Sequence, residues 1–297
     1  MRKTTLLRKL ILDQKILIMP GAHNALAAKI IEQVGFKAVT LGGAAASICL
    51  LGKPDVSLLT LTEMTTHIRN VAEAVDIPVF ADGDTGHGNV TNVIRTTWEF
   101  EKAGVAGFFI EDQLFPKRCG HTEGKQVIPP EEMIPKIKAA VDTRIDQDLV
   151  IMARIDSLAI YGLDDAIDRA HRYREAGADL IFIEALTSKE EMIRINREID
   201  APIMVTQIEG GKTPLHTAKE LEEMGFDVVA YPASTFFAEA WAVERLMEEL
   251  YRTGTTRNYM DQMILFDDLN RWVGLEKVRE IEAFYYKGVL SSQTKTK

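Results

Sequence analysis

Short apolar segments alternate with longer amphipathic segments along most of this chain, and this alternation constrains the fold more than any other feature of the sequence. Each apolar segment is too short for a helix and is bounded by turn residues, which is typical of a buried strand. The amphipathic segments repeat apolar residues at helical spacing, as Leu26, Ile30, Ile31 and Val34 do. The predicted strands are residues 16–19, 37–41, 78–81, 107–110, 149–153, 180–183, 203–205 and 228–231.

Eight strand–helix pairs in strict alternation predict a parallel sheet that is covered on both faces. In a chain of 297 residues, this number of pairs fits a (β/α)8 TIM barrel, an α/β fold, better than an open doubly wound sheet. No GxGxxG motif follows the first predicted strand, which argues against the dinucleotide-binding form of the open sheet. We therefore expect one barrel domain that spans residues 1–297.

Residues 253–286 lie outside the eight pairs and are predicted to form one or two further helices. Their apolar face needs a partner, because helices of the barrel already cover the sheet. We expect these helices to serve in oligomerisation, and the polar residues 291–297 to be disordered. The apolar face consists of Met260, Met263, Phe266, Leu269 and Trp272.

The composition narrows the classes of partner and the compartment. A net charge of −9 argues against nucleic acids and anionic membrane surfaces, so an anionic substrate must be met by local cations or a metal ion. Two cysteines provide no disulfide framework and fit a reducing cytoplasm. Charged residues such as Arg8 and Asp13 interrupt the apolar runs near residue 1, and no segment is long enough to span a bilayer. We expect a cytoplasmic protein.

Polar and charged residues follow the predicted strands, at positions where core packing would favour apolar side chains. In a (β/α)8 barrel the loops after all strands converge on one face, so these residues become neighbours although they are far apart in sequence. This face is therefore the predicted functional site. The set consists of Asp55, Asp82, Asp84, Glu111, Cys119, His121, Arg154, Glu184 and Lys212.

Three of these carboxylates, Asp82, Asp84 and Glu111, follow two consecutive strands. Neighbouring buried carboxylates repel one another, and a hard divalent cation with oxygen ligands removes both the repulsion and the cost of burial. Mg²⁺, which retains several waters, suits a site with few carboxylates. The alternative is a set of solvated loop carboxylates.

The fourth predicted strand continues into a loop with the sequence LFPKRCGHTEGK. Cys119 lies beside Lys117, Arg118 and His121, a setting that lowers the pKa of a thiol and suits a general acid or base. Two glycines in the loop suggest a lid that closes over the substrate. The alternatives for Cys119 are a packing residue or half of a zinc site, for which Cys49 is the only other thiol.

Arg154 ends the fifth predicted strand and is a natural bidentate partner for a substrate carboxylate. The alternative is a salt bridge within the barrel mouth.

Taken as a set, these motifs resemble the isocitrate lyase/phosphoenolpyruvate mutase superfamily over residues 16–256. The resemblance lies in DxDTGxGN after the third strand, EDQ after the fourth, KRCGHxxGK in the following loop, ARxD at Ala153 and EGGKTP at Glu209. Within the superfamily, the chain is similar to the short branch that contains methylisocitrate lyases, dimethylmalate lyases, oxaloacetate hydrolases and carboxyphosphonoenolpyruvate mutases.

The resemblance implies a role for most of the predicted site. Asp82, Asp84 and Glu111 would bind Mg²⁺, for which Mn²⁺ can substitute, partly through water. Cys119 would protonate a carbanion with Lys117 and His121 as further catalytic residues. The expected substrate-binding residues are the small loop Gly42, Gly43 and Ala44 together with Asp55, Arg154, Glu184 and Thr206.

The implied activity is that of a carbon–carbon lyase acting on a small anionic substrate, a 2-hydroxy di- or tricarboxylate of the 2-methylisocitrate or 2,3-dimethylmalate type. The products would be a 2-oxo acid such as pyruvate and a second carboxylate. Formation of a C–P bond by a phosphonomutase, hydrolysis or decarboxylation of oxaloacetate, and a non-catalytic role are the alternatives. Thr206 stands where the superfamily usually has an Asn that contacts a substrate carboxylate. The resemblance also implies C-terminal helices exchanged between subunits of a homotetramer, a dimer of helix-swapped dimers.

Overall fold

Eight parallel strands form a single sheet in the computed structural model of this protein, which describes residues 1–287. Each strand lies within a few residues of the segment predicted from the sequence. The strands are β1 (Leu17–Pro20), β2 (Val39–Leu41), β3 (Val79–Asp82), β4 (Gly107–Glu111), β5 (Val150–Ile155), β6 (Leu180–Ile183), β7 (Ile203–Thr206) and β8 (Val228–Tyr231).

The order of the strands brings the two ends of the sheet together. Strands β2 to β8 pair in sequence order, and β8 then pairs with β1. A parallel bridge joins Gly21 to Thr40, and the Ala22 N–H donates a hydrogen bond of 2.7 Å to the Thr40 carbonyl oxygen, so β1 also meets β2. The nearly closed barrel confirms the predicted (β/α)8 fold.

Helices connect the strands and continue after β8. They are α1 (Lys3–Ile11), α2 (Ala25–Val34), α3 (Gly43–Leu51), α4 (Leu61–Ala74), α5 (Val90–Lys102), α6 (Pro130–Thr143), α7 (Leu158–Tyr161), α8 (Leu163–Glu175), α9 (Lys189–Glu198), α10 (Ala218–Met224), α11 (Ser234–Thr253), α12 (Phe266–Trp272) and α13 (Leu275–Tyr285), with a 3₁₀ helix at Arg257–Gln262.

Two apolar clusters make up most of the core. The larger one lies between the strands and the helices that cover them, and includes Ile68, Phe100 and Ile151. The smaller one fills the barrel interior with residues such as Phe80 and Met152. Helix α1 adds Leu7 and Ile11 to this interior cluster, where they pack with residues at the starts of several strands. The amino-terminal helix thus closes the end of the barrel opposite the loops that follow the strands.

The small-residue segment after β2 differs from the prediction. It was expected to be a loop, but Gly43–Leu51 forms helix α3. Its alanines favour helix formation, and Gly52 ends the helix in the left-handed conformation with φ 59°. Gly42 is the N-cap, so Gly43 and Ala44 belong to the first helical turn.

Packing divides the chain into two compact units, Met1–Phe237 and a second unit that begins at Ala238. The second unit contains the predicted helices beyond residue 253, which the structure shows as the 3₁₀ helix, α12 and α13. The single-domain organisation and the role of these helices in oligomerisation stay predictions. The predicted disordered segment 291–297 lies outside the described residues.

Candidate active site

Two aspartates at the end of β3 begin the site. Asp82 is the last residue of the strand, and its carboxylate accepts the N–H of Asp84 at 2.8 Å and the N–H of Gly43 at 2.7 Å. A Cβ at Gly43 would lie 3.0 Å from Asp82 Oδ2 and 3.1 Å from Asp84 Oδ1, so a glycine lets α3 approach the aspartates closely. Asp84 itself has a left-handed backbone with φ 48°, a strained conformation of the kind that clusters at functional sites.

Glu111 ends β4 in the same region and is fully buried. Within residues 1–287, neither Glu111 oxygen accepts a hydrogen bond, and the nearest cation of an ion pair is Arg154, whose Nε lies 3.3 Å from Glu111 Oε2. Burial raises the pKa of Asp82 to about 6 and raises the pKa of Glu111 well above its usual range, despite the opposing effect of nearby cations. Buried carboxylate oxygens without hydrogen bonds are the donors that a hard divalent cation requires.

The donor chemistry of these residues therefore fits Mg²⁺ or Mn²⁺. Among the described residues, Asp82, Asp84 and Glu111 do not form one compact group of ligand atoms. A cation among them would keep water ligands, as Mg²⁺ usually does.

Lys117, predicted as a catalytic residue, is buried among the same carboxylates. Its Nζ lies 2.8 Å from Asp84 Oδ1 and 2.9 Å from each oxygen of Asp55. Burial alone would lower the pKa of Lys117, but the surrounding carboxylates, Asp84 foremost, raise it well above the usual value. The ammonium group therefore stays protonated and offsets part of the negative charge of the site.

Cys119 follows in the same loop, where its N–H lies 3.3 Å from the carbonyl oxygen of Asp55. The sequence predicted a lowered thiol pKa, and this was wrong: burial raises the pKa of Cys119, and the charge of Arg154 only partly opposes it. Of the neighbouring cations, Lys117 faces the carboxylates and the Arg118 residue is exposed. The thiol is held in its protonated form, which is the form that a general acid needs.

Arg154 is the centre of an ion-pair network at the end of β5. Its Nε and Nη2 donate to the two oxygens of Asp156 at 2.9 and 3.1 Å, and Nη2 lies 2.9 Å from Glu184 Oε2. The guanidinium carbon lies 5.6 Å from the ring centre of Phe109 and 5.5 Å from that of Phe182, within range of cation–π attraction. The salt bridge weighed as an alternative is thus present, and it fixes the guanidinium group in the mouth of the barrel.

His121 and Glu184 meet beside this arginine. His121 Nδ1 accepts the N–H of Lys212 at 3.0 Å, which leaves Nε2, 3.2 Å from Glu184 Oε1, to carry the proton. Burial alone would raise the pKa of Glu184, but Arg154 and His121 hold it down at about 2. A side chain at Gly120 would collide with both Arg154 and Glu184, so only a glycine lets the loop come this close.

A cavity of about 80 Å³ lies between these groups. The catalytic candidates Cys119 and His121 line it, whereas Lys117, Asp84 and Glu111 do not. Every residue that the sequence proposed for substrate binding lines it: Gly42, Gly43, Ala44, Asp55, Arg154, Glu184 and Thr206. The structure thus brings the predicted substrate-binding set together around one space.

A second cavity, of about 310 Å³, adjoins the first and shares six lining residues with it, Cys119 among them. Its walls are mainly apolar and include Ile48, Val56, Phe236 and Phe237. No lysine, arginine or histidine lines it within the described part of the chain. The space next to Cys119 therefore suits an apolar group rather than an anion.

Three buried residues of the site received no role from the sequence. Asp156 accepts hydrogen bonds from Arg154 and from Lys125, whose Nζ is 2.9 Å away. Asp112 accepts the Asp156 N–H at 2.8 Å. Each of them stands within a motif noted above, ARxD, KRCGHxxGK and EDQ, but their contacts join distant loops and have no local signal in the sequence.

None of the helices within residues 1–287 is long and apolar enough to cross a membrane.

Comparison with known proteins places this site in a family. The sequence profile of the phosphoenolpyruvate phosphomutase family matches residues 7–251. The chain is 46% identical to a 2,3-dimethylmalate lyase of Eubacterium barkeri over 95% of this chain and 98% of that protein. It is 44% identical to a chloroplastic carboxyvinyl-carboxyphosphonate phosphorylmutase of Arabidopsis thaliana, over 96% of this chain and 85% of that protein. A 2-methylisocitrate lyase of Aeropyrum pernix is 42% identical over 88% of this chain and 84% of its own length.

Solved structures agree with the sequence relatives. The crystal structure of a 2,3-dimethylmalate lyase superposes with a TM-score of 0.91 at 32% identity, over 97% of this chain and 98% of that one. An oxaloacetate acetylhydrolase bound to 3,3-difluorooxalacetate gives a TM-score of 0.90 at 30% identity, over 95% of this chain and 97% of that one. A phosphonopyruvate hydrolase in complex with oxalate and Mg²⁺ gives 0.88 at 29% identity, over 96% and 99%. The chain belongs to the phosphoenolpyruvate mutase/isocitrate lyase superfamily.

Proposed function

We propose that this protein is a divalent-metal-dependent carbon–carbon lyase that cleaves a 2-hydroxy dicarboxylate with an apolar substituent, a substrate of the 2,3-dimethylmalate type. The observation that carries the proposal is the composition of the wall of the 80 Å³ cavity, which a protonated Cys119, a fixed Arg154 and Asp82 line together. The relative named as a 2,3-dimethylmalate lyase supports this type of substrate, and the relative named as a 2-methylisocitrate lyase supports carbon–carbon cleavage of a 2-hydroxy acid.

The chemistry follows from the charges that develop. The proton of the 2-hydroxyl group passes to a carboxylate that lines the cavity, Asp55, and the C2–C3 bond breaks. C2 becomes the carbonyl of a 2-oxo acid, and the bonding electrons remain on C3 beside its carboxylate. Cys119 donates its proton to C3 and so completes the second product. Arg154 and His121 bind and orient a substrate carboxylate. Mg²⁺ or Mn²⁺, held by Asp82, Asp84 and Glu111, would supply positive charge for the developing oxyanion.

The size and polarity of the two cavities favour a dicarboxylate over a tricarboxylate. Among the described residues that line the smaller cavity, Arg154 is the only arginine and there is no lysine. The described residues that line the larger cavity include neither. In 2-methylisocitrate, the carbon that receives the proton carries a carboxymethyl group, and its terminal carboxylate would lie near Cys119 without a cation. In 2,3-dimethylmalate, the same carbon carries a methyl group, which the apolar walls accommodate.

We expect kcat/KM for 2,3-dimethylmalate to exceed that for 2-methylisocitrate by at least about tenfold, because leaving a carboxylate unpaired in apolar surroundings costs more than about 1.4 kcal/mol. Both substrates release pyruvate, so one coupled assay with lactate dehydrogenase measures both. Equal or faster cleavage of 2-methylisocitrate would contradict the proposed dicarboxylate preference, while failure to cleave either acid would contradict the lyase itself.

A phosphonomutase is the second candidate, because the family profile and the Arabidopsis thaliana relative carry that name. Both chemistries develop an enolate-type anion in the same site. ³¹P nuclear magnetic resonance on phosphonopyruvate or a carboxyphosphonate substrate distinguishes them, since a mutase interconverts P–C and P–O signals without releasing inorganic phosphate, whereas a carbon–carbon lyase leaves the phosphorus signal unchanged.

We also propose that the protein acts in the cytoplasm as a homotetramer built from helix-swapped dimers. No residue of the 3₁₀ helix, α12 or α13 is buried within residues 1–287. Phe266 is 80% exposed and Phe284 is 72% exposed, and the concentration of exposed large apolar residues in these helices supports a subunit interface. A second copy of the chain is the partner that would cover them.

Truncation after Thr253 is expected to convert the tetramer into monomers or aggregates, because it removes the apolar helices and uncovers the surface that they contact. Sedimentation or multi-angle light scattering measures the mass. A full-length protein that is monomeric at micromolar concentration would contradict the assembly, and a truncated protein that remains a tetramer would show that other surfaces hold the subunits together.

A further inference from the structure

The loop of residues 117–125, here called the lid loop, is attached to the barrel mouth by a buried lysine at each end. Lys117 at its start is 2% exposed and Lys125 at its end is 9% exposed, although lysine is among the residues least often buried. Cys119 and His121 lie between these two anchors. Lys117 faces the carboxylates of the candidate metal site, whereas Lys125 faces a different group.

That group is Asp156, which lies behind Arg154. Lys125 Nζ donates to Asp156 Oδ1 at 2.9 Å, and Arg154 Nη2 donates to the same oxygen at 3.1 Å. Arg154 Nε donates to the other oxygen, Oδ2, at 2.9 Å. One carboxylate therefore binds the lid loop and the substrate-binding arginine at the same time.

Asp156 is itself held from the barrel side. Its N–H donates to Asp112 Oδ1 at 2.8 Å, and Asp112 Oδ2 accepts hydrogen bonds from Arg169 at 2.9 Å and from the Tyr173 hydroxyl group at 3.0 Å. Arg169 and Tyr173 belong to α8, and all of these groups are buried. The Asp156 carboxylate is thus held in place by the barrel, and Lys125 attaches the lid loop to it.

We propose that Lys125 is a positioning residue whose ion pair with Asp156 holds the lid loop closed. Cys119 then stands over the substrate only while the ion pair between Lys125 and Asp156 is intact. The catalytic meaning of this inference rests on the proposed function, but the closure itself does not. Arg154 already donates two hydrogen bonds to Asp156, so the carboxylate does not depend on Lys125 for its neutralisation. The contribution that Lys125 alone makes is the link to the lid loop.

The reactivity of Cys119 tests closure without any substrate. In Lys125→Met the charge is lost at similar length, and we expect iodoacetamide to modify Cys119 at least about tenfold faster than in the wild type, because an anchor that loses its buried ion pair releases the loop. Cys49, which is exposed, serves as the internal standard, and peptide mass spectrometry follows both cysteines. The rate at which iodoacetamide modifies Cys49 should not change.

Three variants complete the experiment. Lys125→Arg keeps a cation at the end of the lid loop and should restore slow modification of Cys119. Lys219→Met makes the matched change at a lysine whose side chain is 84% exposed on α10, and should behave as the wild type. Asp156→Asn removes the charge of the anchor from the other side and should also speed modification of Cys119, which keeps the proposal testable should Lys125→Met fail to fold.

Kinetics with the substrate give the second readout. We expect Lys125→Met to lower kcat by about tenfold or more, in proportion to the lost closure, with a smaller change in KM, because Arg154 remains bound to Asp156. Unchanged modification of Cys119 together with a lowered melting temperature would mean that Lys125 serves stability alone, and would overturn the proposal. A chain that cleaves no hydroxy acid would overturn the lyase assignment but not the closure measured by iodoacetamide.

Discussion

Serine in place of Cys119 is expected to lower kcat by about 10²–10⁴-fold, the usual contribution of one well-placed general acid. The two side chains differ by a single atom, but a hydroxyl group is a far weaker acid than a thiol. KM should change much less, because Arg154, His121 and Asp82 still line the cavity. Cys49→Ser is the matched control, since this residue is exposed and lies outside the site, and it should retain full turnover.

The pH dependence of the wild type gives a second check on the same residue. Burial raises the pKa of Cys119, so the thiol keeps its proton to a higher pH than an ordinary cysteine. A general acid works below its pKa, and kcat should therefore stay level beyond the usual thiol range and fall only as the pH rises through the raised value. This alkaline limb should be absent from Cys119→Ser.

The alternatives for Cys119 predict other results. A packing role predicts a lower melting temperature with normal turnover, and a zinc ligand predicts stoichiometric zinc by elemental analysis. A Cys119→Ser enzyme with a near-normal rate would remove the thiol from the mechanism. Product analysis in D₂O checks the step, because delivery by the thiol leaves one deuterium at C3 in a single configuration, whereas protonation by solvent after release of the enolate gives both configurations.

The barrel was predictable from the sequence because its signals are local. Eight apolar segments alternate with amphipathic ones, and a continuous apolar segment indicates a strand that is buried on both faces. Turn residues mark where each strand ends. Helix α3 was missed because glycines border a short alanine-rich segment. Such a segment can form a loop or a helix, and its packing against the rest of the protein decides which one forms. Helix α1 received no assignment, since its role in closing the barrel depends on contacts with strands far along the chain.

The sequence predicted which residues belong to the candidate site, but not which cation pairs with which anion within it. The fold rule that loops after strands converge gathers the polar residues, and the structure places the substrate-binding set around one cavity. The rule does not say which cation faces which anion. Lys117 lies with Asp84 and Lys125 with Asp156, so these two cations are not available to the half-buried thiol between them, and the pKa of Cys119 moves up instead of down.

Removal of divalent metal should abolish turnover. The metal ion would contribute several kcal/mol of transition-state stabilisation, so we expect chelation to lower kcat by about 10³-fold or more and added Mg²⁺ or Mn²⁺ to restore it. The protein should remain folded without the ion, because Lys117 Nζ lies 2.8 Å from Asp84 and 2.9 Å from both oxygens of Asp55 and offsets part of the charge. Circular dichroism of the chelated protein checks this point.

The variant Asp84→Asn tests metal binding separately from the other functions of the site. Asparagine tolerates the left-handed backbone at this position, where φ is 48°, and removes one negative charge from the cluster. Mutation of a residue that only contacts a metal ligand typically lowers metal affinity by about 10–100-fold. We expect a larger loss of Mn²⁺ affinity in Asp84→Asn, measured by titration calorimetry or by electron paramagnetic resonance. Asp76→Asn makes the same change at an exposed carboxylate and should bind Mn²⁺ as the wild type does. Full turnover in the chelated wild type, or unchanged Mn²⁺ binding by Asp84→Asn, would contradict the assignment of this cluster as the metal site.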